Sequence, residues 1–243
     1  MEKIKITNLV NKRGDFTLNI DSLVIREGDK VALLGENGCG KTTLLQVLTG
    51  LLATKDSIYY EGKGWERFSA RERSQYVAYL PQEADVLFNL TVGELLELRL
   101  DEERPLQGEE RQKALEATSM ADFQERIFHS LSMGEKRRAM LARVFCRDCP
   151  CIFLDEPTAP LDLRHAAELM RYVAGLSKTV VAAIHDVNLA VRYFNRFLLM
   201  KNGRILFDRT NENLQVAELE EIYGIGLNNF GGFFIPDVKR LGH

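Results

Sequence analysis

A glycine-rich segment near the start of the chain has the sequence Gly35-Glu36-Asn37-Gly38-Cys39-Gly40-Lys41-Thr42-Thr43. It matches the G-x-x-x-x-G-K-S/T pattern of a phosphate-binding loop. The apolar residues 31–34 before it suffice for a short buried strand, and Leu44, Leu45 and Leu48 after it share one face of a helix. Strand, loop and helix follow in the order that this loop requires, so a chance glycine-rich turn is the weaker interpretation.

The residue types of this loop predict how it would hold a nucleotide. Glycine lets the backbone curl until successive N–H groups point at an anion, and the following helix adds the positive end of its dipole. Lys41 would reach the β- and γ-phosphates of ATP, and the Thr42 hydroxyl would ligate Mg²⁺. The expected nucleotide contacts are Gly35, Glu36, Asn37, Gly38, Cys39, Gly40, Lys41, Thr42 and Thr43.

The composition limits the class of protein. The 243 residues include 32 Lys and Arg against 35 Asp and Glu, so the charge balance does not predict nucleic acid as a partner, although a local basic patch stays open. No apolar run approaches the roughly 20 residues that cross a bilayer, and residues 1–6 alternate like a strand rather than a signal peptide. The thiols of Cys39, Cys146, Cys149 and Cys151 favour a cytosolic protein with buried cysteines over a metal site, because no second cysteine–histidine pair follows.

Four apolar runs end in residues that a nucleotide site can use. Residues 31–34 lead into the phosphate loop, residues 76–80 to Gln82, residues 151–154 to Asp155 and Glu156, and residues 179–184 to His185. Such runs are typical of strands covered on both faces, so we expect a parallel sheet with helices on each side. Ligands of these sheets bind beyond the carboxyl ends of the strands. The four polar ends are therefore expected to meet at one site.

Charge and chemistry suggest a role for each of these side chains. Asp155 would hold Mg²⁺ through a bound water, and Glu156 would orient or deprotonate the attacking water. The Gln82 amide would ligate the metal and position water, while His185 would hydrogen-bond the γ-phosphate or the water. Each residue alone has an ordinary alternative. Asp155 and Glu156 could be a polar strand end before Pro157, and His185 could be a solvent-facing or core histidine.

Two further regions accompany this core. Residues 1–30 alternate with the two-residue period of antiparallel strands, with a turn at Gly14. Residues 84–130 have a charged, helical pattern in which Leu95, Leu96 and Leu98 form one apolar face. We expect an N-terminal antiparallel β subdomain and an inserted helical subdomain within a single domain of residues 1–243.

The ordered set of motifs resembles the nucleotide-binding subunit of an ATP-binding cassette (ABC) transporter over nearly the whole chain. Leu131-Ser132-Met133-Gly134-Glu135 is similar to the Leu-Ser-Gly-Gly-Gln signature of that family, and Thr158-Ala159-Pro160-Leu161-Asp162 to the loop after its catalytic glutamate. His185 matches its switch histidine. The resemblance implies an α/β fold with a P-loop NTPase core and an ATPase activity coupled to transport.

The resemblance also implies that two copies cooperate. Ser132 would cap a helix whose free N–H groups form a second anion site. In the family, this signature contacts the γ-phosphate held by the other subunit. Ser132, Gly134 and Asp162 are therefore expected beside ATP in a head-to-tail dimer, in which a second copy of the chain completes each site.

Two positions of the signature and one segment near the first hairpin depart from the family pattern. Met133 replaces a glycine and removes backbone freedom, and Glu135 replaces a glutamine and places a carboxylate near the phosphate. The family stacks adenine on an aromatic residue near the first hairpin, where this chain has Asn11-Lys12-Arg13. Phe16 is the nearby aromatic candidate for that contact.

The expected partner is a transmembrane permease subunit. Residues 83–91 carry Leu87, Phe88 and Leu90 where a surface loop is expected, so this segment either docks the permease or covers the protein's own core. Residues 185–193 and Glu221-Ile222-Tyr223-Gly224 are similar to the importers of iron chelates, haem and cobalamin. That likeness implies a peripheral protein at the cytoplasmic face of a membrane.

Two other functions fit a phosphate loop. A soluble ABC-type ATPase acting on nucleic acid or ribosomes usually has two cassettes or long coiled-coil arms, and this sequence has one cassette. A regulatory module that binds ATP without hydrolysing it would be expected to lack Glu156. The sequence therefore favours an ATP-hydrolysing transport subunit.

Overall fold

The fold is described from a computed structural model for residues 1–83, 86–98 and 108–237. Within these ranges the strands are β1 (Glu2–Arg13), β2 (Phe16–Arg26), β3 (Lys30–Leu34), β4 (Ile58–Tyr60), β5 (Lys63–Gly64), β6 (Val77–Leu80), β7 (Cys151–Asp155), β8 (Thr179–Ala183), β9 (Arg196–Lys201), β10 (Arg204–Thr210), β11 (Leu227–Phe230) and β12 (Phe233–Pro236). The α-helices are α1 (Lys41–Leu48), α2 (Ala70–Tyr76), α3 (Val92–Glu97), α4 (Gly108–Ala117), α5 (Met133–Phe145), α6 (Leu163–Gly175), α7 (Val187–Tyr193) and α8 (Val216–Tyr223).

The main sheet has the strand order β10-β9-β3-β8-β7-β6. Strands β9, β3, β8, β7 and β6 run parallel, and β10 returns antiparallel to β9. The mainly parallel sheet is thus confirmed, and its register aligns Leu33 with Ala183 and Leu80 with Leu154. The four polar strand ends named above consequently lie along one edge of this sheet.

A separate antiparallel sheet has the order β2-β1-β4-β5. Its first two strands pair across the turn at Gly14, whose φ of +56° lies in the left-handed region. Ile4 and Ile6 of β1 are buried on either side of the exposed Lys5, which is the two-residue alternation read from the sequence, and Leu9 is buried after a break in that period at Asn8, whose φ is +47°. The predicted N-terminal β subdomain is therefore confirmed.

The core lies on both faces of the main sheet. Leu33 and Val181 face a cluster that includes α1 and the antiparallel sheet, whereas Leu34 and Ala182 face a cluster that includes α5 and α6. Successive strand residues alternate between the two sides, so each apolar run supplies both clusters. The four cysteines are buried free thiols, as predicted. No described helix has the length and apolar character needed to span a membrane.

The region predicted as a helical subdomain contains α3, α4 and two 3₁₀ turns, Ala121–Phe123 and Phe128–Ser130. Positions 84, 85 and 99–107 of this region lie outside the described residues. Leu95 and Leu96 are buried as expected, but the placement of Leu98 on the same face was wrong. The helix ends at Glu97, and Leu98 has an extended backbone and is 44% exposed.

Candidate active site

The phosphate loop connects β3 to α1 and closes around the Lys41 side chain. Lys41 is 6% exposed, and its Nζ donates to the carbonyl oxygens of Gly35 at 2.7 Å and Glu36 at 3.0 Å. Gly35 has a φ of +149°, and a Cβ there would lie 2.2 Å from the Met200 carbonyl oxygen, so glycine is required. No acidic residue occupies the first turn of α1, which leaves the positive end of the helix available to an anion.

Asp155 ends β7 beside this loop. Its side chain is buried, and burial raises its pKa, while the neighbouring Thr42 hydroxyl acts in the opposite direction. Its Oδ1 has no hydrogen-bond partner among the described residues. A buried carboxylate oxygen without a partner, next to a hydroxyl, fits a hard divalent cation such as Mg²⁺. No group of three or more His, Cys, Asp or Glu in the described chain forms a metal site alone, so such an ion would need further oxygen ligands.

Glu156 and His185 form an acid–base pair at adjacent strand ends. Glu156 Oε1 lies 2.6 Å from His185 Nε2. Glu156 has a φ of +48°, a left-handed conformation that is unusual for a residue with a Cβ. His185 follows β8, and its neighbour Asp186 caps α7 by accepting from the backbone N–H groups of Asn188 and Leu189. A carboxylate and an imidazole in this contact can exchange or orient a proton.

One cavity of about 560 Å³ brings most of the predicted residues together. From the list predicted from sequence, it is lined by Phe16, Asn37, Gly38, Gly40, Lys41, Thr42, Thr43, Gln82, Glu156 and His185. Arg13 also lines it, although sequence reasoning had not selected this residue. It lies in the segment 11–13, where the resemblance described above implies an aromatic side chain. Gly35, Glu36, Cys39 and Asp155 are not among the lining residues, and of these only Glu36 is exposed.

Ser132, Gly134 and Asp162 do not line this cavity. Ser132 is the N-cap of α5, where its Oγ accepts from the Glu135 backbone N–H at 3.4 Å. In return, Glu135 Oε2 accepts from the Ser132 N–H at 2.7 Å, and these bonds to Ser132 lower the pKa of the Glu135 carboxyl. Met133 is 74% exposed. The Glu135 carboxylate therefore belongs to a capping box, an arrangement that sequence reasoning missed.

Asp162 is the N-cap of α6 and is linked to α5 through a histidine. Asp162 Oδ1 accepts from the His165 backbone N–H at 2.9 Å, and its Oδ2 lies 2.8 Å from His165 Nδ1. These bonds to His165 lower the pKa of the Asp162 carboxyl. His165 Nε2 lies 3.0 Å from Arg138 Nη1. Since arginine can only donate, this contact requires a lone pair on Nε2 and the proton on Nδ1.

Arg137 is a further residue that sequence reasoning missed. It is buried, and its guanidinium donates to backbone carbonyls at the ends of both β6 and β7. Burial lowers the pKa of Arg137, while the charges of Asp155 and Glu156 act in the opposite direction. No local sequence pattern marks a side chain whose partners are distant carbonyls.

Comparison with known proteins points to one family. The sequence profile described as ABC transporter matches residues 18–159. The petrobactin import ATP-binding protein FpuC of Bacillus anthracis is 32% identical over 234 residues, which cover 89% of this chain and 85% of that protein. The hemin import ATP-binding protein HmuV of Gloeobacter violaceus is 38% identical, covering 81% and 78%.

Two further similarities extend this comparison. The cobalamin import ATP-binding protein BtuD of Halobacterium salinarum is 35% identical over 74% of this chain, which spans only 48% of that longer protein. Among solved structures, the dimeric post-hydrolysis state of the ATP-binding cassette MJ0796 with ADP and phosphate superposes with a TM-score of 0.74. The two sequences are 27% identical, and the match covers 87% of this chain and 100% of the MJ0796 chain.

Proposed function

This chain belongs to the ABC transporter family as an ATP-binding and ATP-hydrolysing subunit, and from that premise we propose that it drives import of a metal chelate, haem or cobalamin through a permease. The cargo class is supported by its relatives, which are named as petrobactin, hemin and cobalamin import proteins. Their likeness also supports a peripheral location on the cytoplasmic face of the membrane. Residues 1–243 would form one ATPase domain.

The observation that carries the hydrolytic role is the contact between Glu156 and His185 in the cavity beside the phosphate loop. Lys41 and the N–H groups of the loop would hold the β- and γ-phosphates. The Glu156 carboxylate would orient the attacking water and accept its proton, and His185 would hydrogen-bond the γ-phosphate or this water. Their separation of 2.6 Å keeps both groups at the same end of the cavity.

The residues present fit a magnesium ion. Thr42 and Gln82 line the cavity, and the buried Asp155 next to Thr42 has an Oδ1 that bonds to none of the described residues. Thr42 and Gln82 would be direct ligands, and Asp155 would act through a bound water. Mg²⁺, when bound, would neutralise charge on the phosphate oxygens.

The position of the signature supports a head-to-tail dimer. Ser132 and Asp162 are exposed caps of α5 and α6 and lie outside the chain's own cavity. We infer that Ser132, Gly134 and Asp162 reach the nucleotide of a second copy. A two-fold axis satisfies this arrangement because each copy offers both halves.

The permease is proposed to dock beside Gln82. Leu87 is 91% exposed and Phe88 is 70% exposed, while Leu90 packs against the core. Leu90 and the neighbouring, buried Val86 favour the alternative that this segment covers the protein's own core, whereas the exposed Leu87 and Phe88 favour docking. Phe88→Asp should abolish capture by the co-expressed permease in a pull-down and leave the ATPase activity of the isolated subunit unchanged. Wild-type capture would exclude this surface.

Replacement of Glu156 tests the proposed function. Glu156→Gln should lower phosphate release by about 10²–10⁴-fold, since the amide cannot accept a proton, and ATP-bound dimers should accumulate in analytical ultracentrifugation. Glu212→Gln, which removes an exposed carboxylate in the turn after β10, is the matched control and should keep wild-type turnover. Undiminished phosphate release by Glu156→Gln would remove this residue from the mechanism.

A further inference from the structure

Arg137 joins two strand ends that the sheet itself leaves apart. Its Nη1 donates to the carbonyl oxygens of Pro81 at 2.6 Å and Gln82 at 3.1 Å, and its Nη2 donates to those of Asp155 and Glu156, the latter at 2.8 Å. The last paired residues of β6 and β7 are Leu80 and Leu154. Beyond that pair, the guanidinium bridges the two segments.

This contact bears directly on the conformation of Glu156. The left-handed backbone at Glu156 is strained for a residue with a Cβ, so neighbouring bonds must hold it. Its N–H donates to the Ala183 carbonyl oxygen at 3.2 Å, and its carbonyl accepts from Arg137 Nη2 at 2.8 Å and from the Ala159 N–H at 3.2 Å. Both peptide groups flanking the Cα are thus held, which sets the direction in which the carboxylate leaves the backbone towards His185.

Arg137 also lies on α5, the helix that Ser132 caps. The Lys136 N–H donates to the Ser132 carbonyl oxygen at 2.8 Å, so the first turn of α5 is a closed helical turn. Arg137 lies five positions after Ser132, which is a helical rise of about 7.5 Å. A movement of the Ser132 turn would therefore be passed to the guanidinium through a stiff segment.

We propose that Arg137 is a positioning residue that couples the Ser132 turn to Gln82 and Glu156, so that engagement of the signature aligns the hydrolytic side chains. The proposal rests on the proposed function. It uses arginine specifically, because a planar guanidinium donates in two directions at once. A lysine ammonium is a point charge, and it can hold one strand end but not both in the same geometry.

Steady-state ATPase kinetics and ATP affinity of Arg137→Lys and Arg137→Gln test this coupling. We expect kcat to fall about tenfold for Arg137→Lys and about 100-fold for Arg137→Gln, because small displacements of catalytic groups have effects of this size. The ATP dissociation constant should stay within about threefold of wild type, since the phosphate loop is unchanged. Arg143→Gln removes a half-buried arginine from the same helix and should keep wild-type kcat.

The outcomes separate this coupling from a general loss of structure. If Arg137→Gln does not fold, the Lys variant decides the question alone. Wild-type kcat in Arg137→Lys, or a loss of kcat that parallels a loss of ATP affinity, would overturn the proposal. Equal losses of kcat in Arg143→Gln would do the same. If the wild-type protein released no phosphate, the proposed function would fail instead, before any variant was compared.

Discussion

The phosphate loop and the Ser132 turn are both predicted to bind phosphate, yet they are constructed in opposite ways. The loop encloses a buried lysine, and Gly35 packs directly against the Met200 carbonyl. The turn presents Ser132 and Met133 to solvent. A site complete within one chain can be buried and preorganised, whereas a site that meets another copy must stay exposed until that copy arrives.

The two helix N-termini differ in charge as well. The first turn of α1 has no acidic residue, and its N-cap, Gly40, has no side chain that could accept from the helix N–H groups. The first turn of α5 contains Glu135, which closes a capping box with Ser132. Helix α1 therefore leaves its N-terminal N–H groups to a ligand. At the N-terminus of α5, two N–H groups, those of Ser132 and Glu135, are already bonded within the capping box. A phosphate bound at Ser132, as proposed, would compete with a carboxylate of the same chain.

The largest expected effect comes from filling the space at Gly35. Gly35→Ala places a Cβ against the Met200 carbonyl oxygen and Cys39 Sγ, and it imposes a backbone angle that alanine avoids. Strain and overpacking should destabilise the protein by about 3 kcal/mol or more and abolish ATP binding. Thermal unfolding and isothermal titration with ATP measure both effects.

Gly28→Ala is the matched control for this change. Gly28 also has a positive φ, but a Cβ there would have no atom within 4 Å. It should lose about 1–2 kcal/mol of stability and retain its ATP affinity. Wild-type ATP binding by Gly35→Ala would show that the close packing of the loop is not needed to form it.

A smaller effect is expected from restoring glutamine at the signature. The pKa of Glu135 lies below its ordinary value of 4.5, so this carboxylate is ionised at neutral pH. Glu135→Gln removes its repulsion of phosphate and keeps a side chain able to close the capping box. In the Glu156→Gln background, the dissociation constant of the ATP-dependent dimer, measured by ultracentrifugation, should be roughly three- to tenfold lower. This gain in dimer affinity should shrink at high salt.

The pH dependence of the gain in dimer affinity and a matched variant test whether the Glu135 carboxylate causes it. A group with a depressed pKa keeps its charge until the pH falls through that value, so the gain from Glu135→Gln should be constant between about pH 6 and 8. Glu109→Gln removes a first-turn glutamate from α4 and should not change dimerisation. Equal gains from both variants would indicate a net-charge effect instead of a local one.

Sequence periodicity predicted buried strands but not their neighbours. The runs at residues 31–34, 76–80, 151–154 and 179–184 are alike in apolar character, so nothing in them determined that β8 lies between β3 and β7. The polar residues after them were recognisable because parallel strands share one carboxyl edge. Leu98 was misplaced because the helical pattern was extended one residue past the end of α3.

The supporting contacts of the site were beyond sequence reasoning for a different reason. Arg137 and Pro81 are 56 positions apart, and the acceptors are backbone carbonyls that any residue type provides. The left-handed conformation of Glu156 also has no signature, since glutamate is not a residue that favours it. Side chains that do chemistry have characteristic types, but those that position them are recognised only once the fold brings distant segments together.

The smallest expected effect concerns the base of the nucleotide, at the rim of the phosphate-loop cavity. Phe16 was the sequence candidate, and its Cζ lies 2.7 Å from where a Cβ on Gly40 would be, so its ring packs against the loop backbone. Arg13 lines the same cavity and bonds the Gln46 side chain at 3.2 Å. A guanidinium can stack on adenine, so Arg13→Ala should weaken ATP binding about two- to fivefold, as measured by isothermal titration. Lys12→Ala, an exposed neighbour, should bind normally.

Inorganic triphosphate separates stacking from simple charge attraction at Arg13. It carries the phosphates of ATP without the base, so a stacking arginine should contribute nothing to its affinity. Arg13→Ala should then bind triphosphate like the wild type while binding ATP more weakly. Equal losses for both ligands would mean that Arg13 acts through its charge on the phosphates, and the base contact would pass to Phe16. The two phosphate sites would then differ further in charge. The phosphate loop would use Arg13 as a second cation beside Lys41, whereas the exposed Ser132 turn has the Glu135 carboxylate.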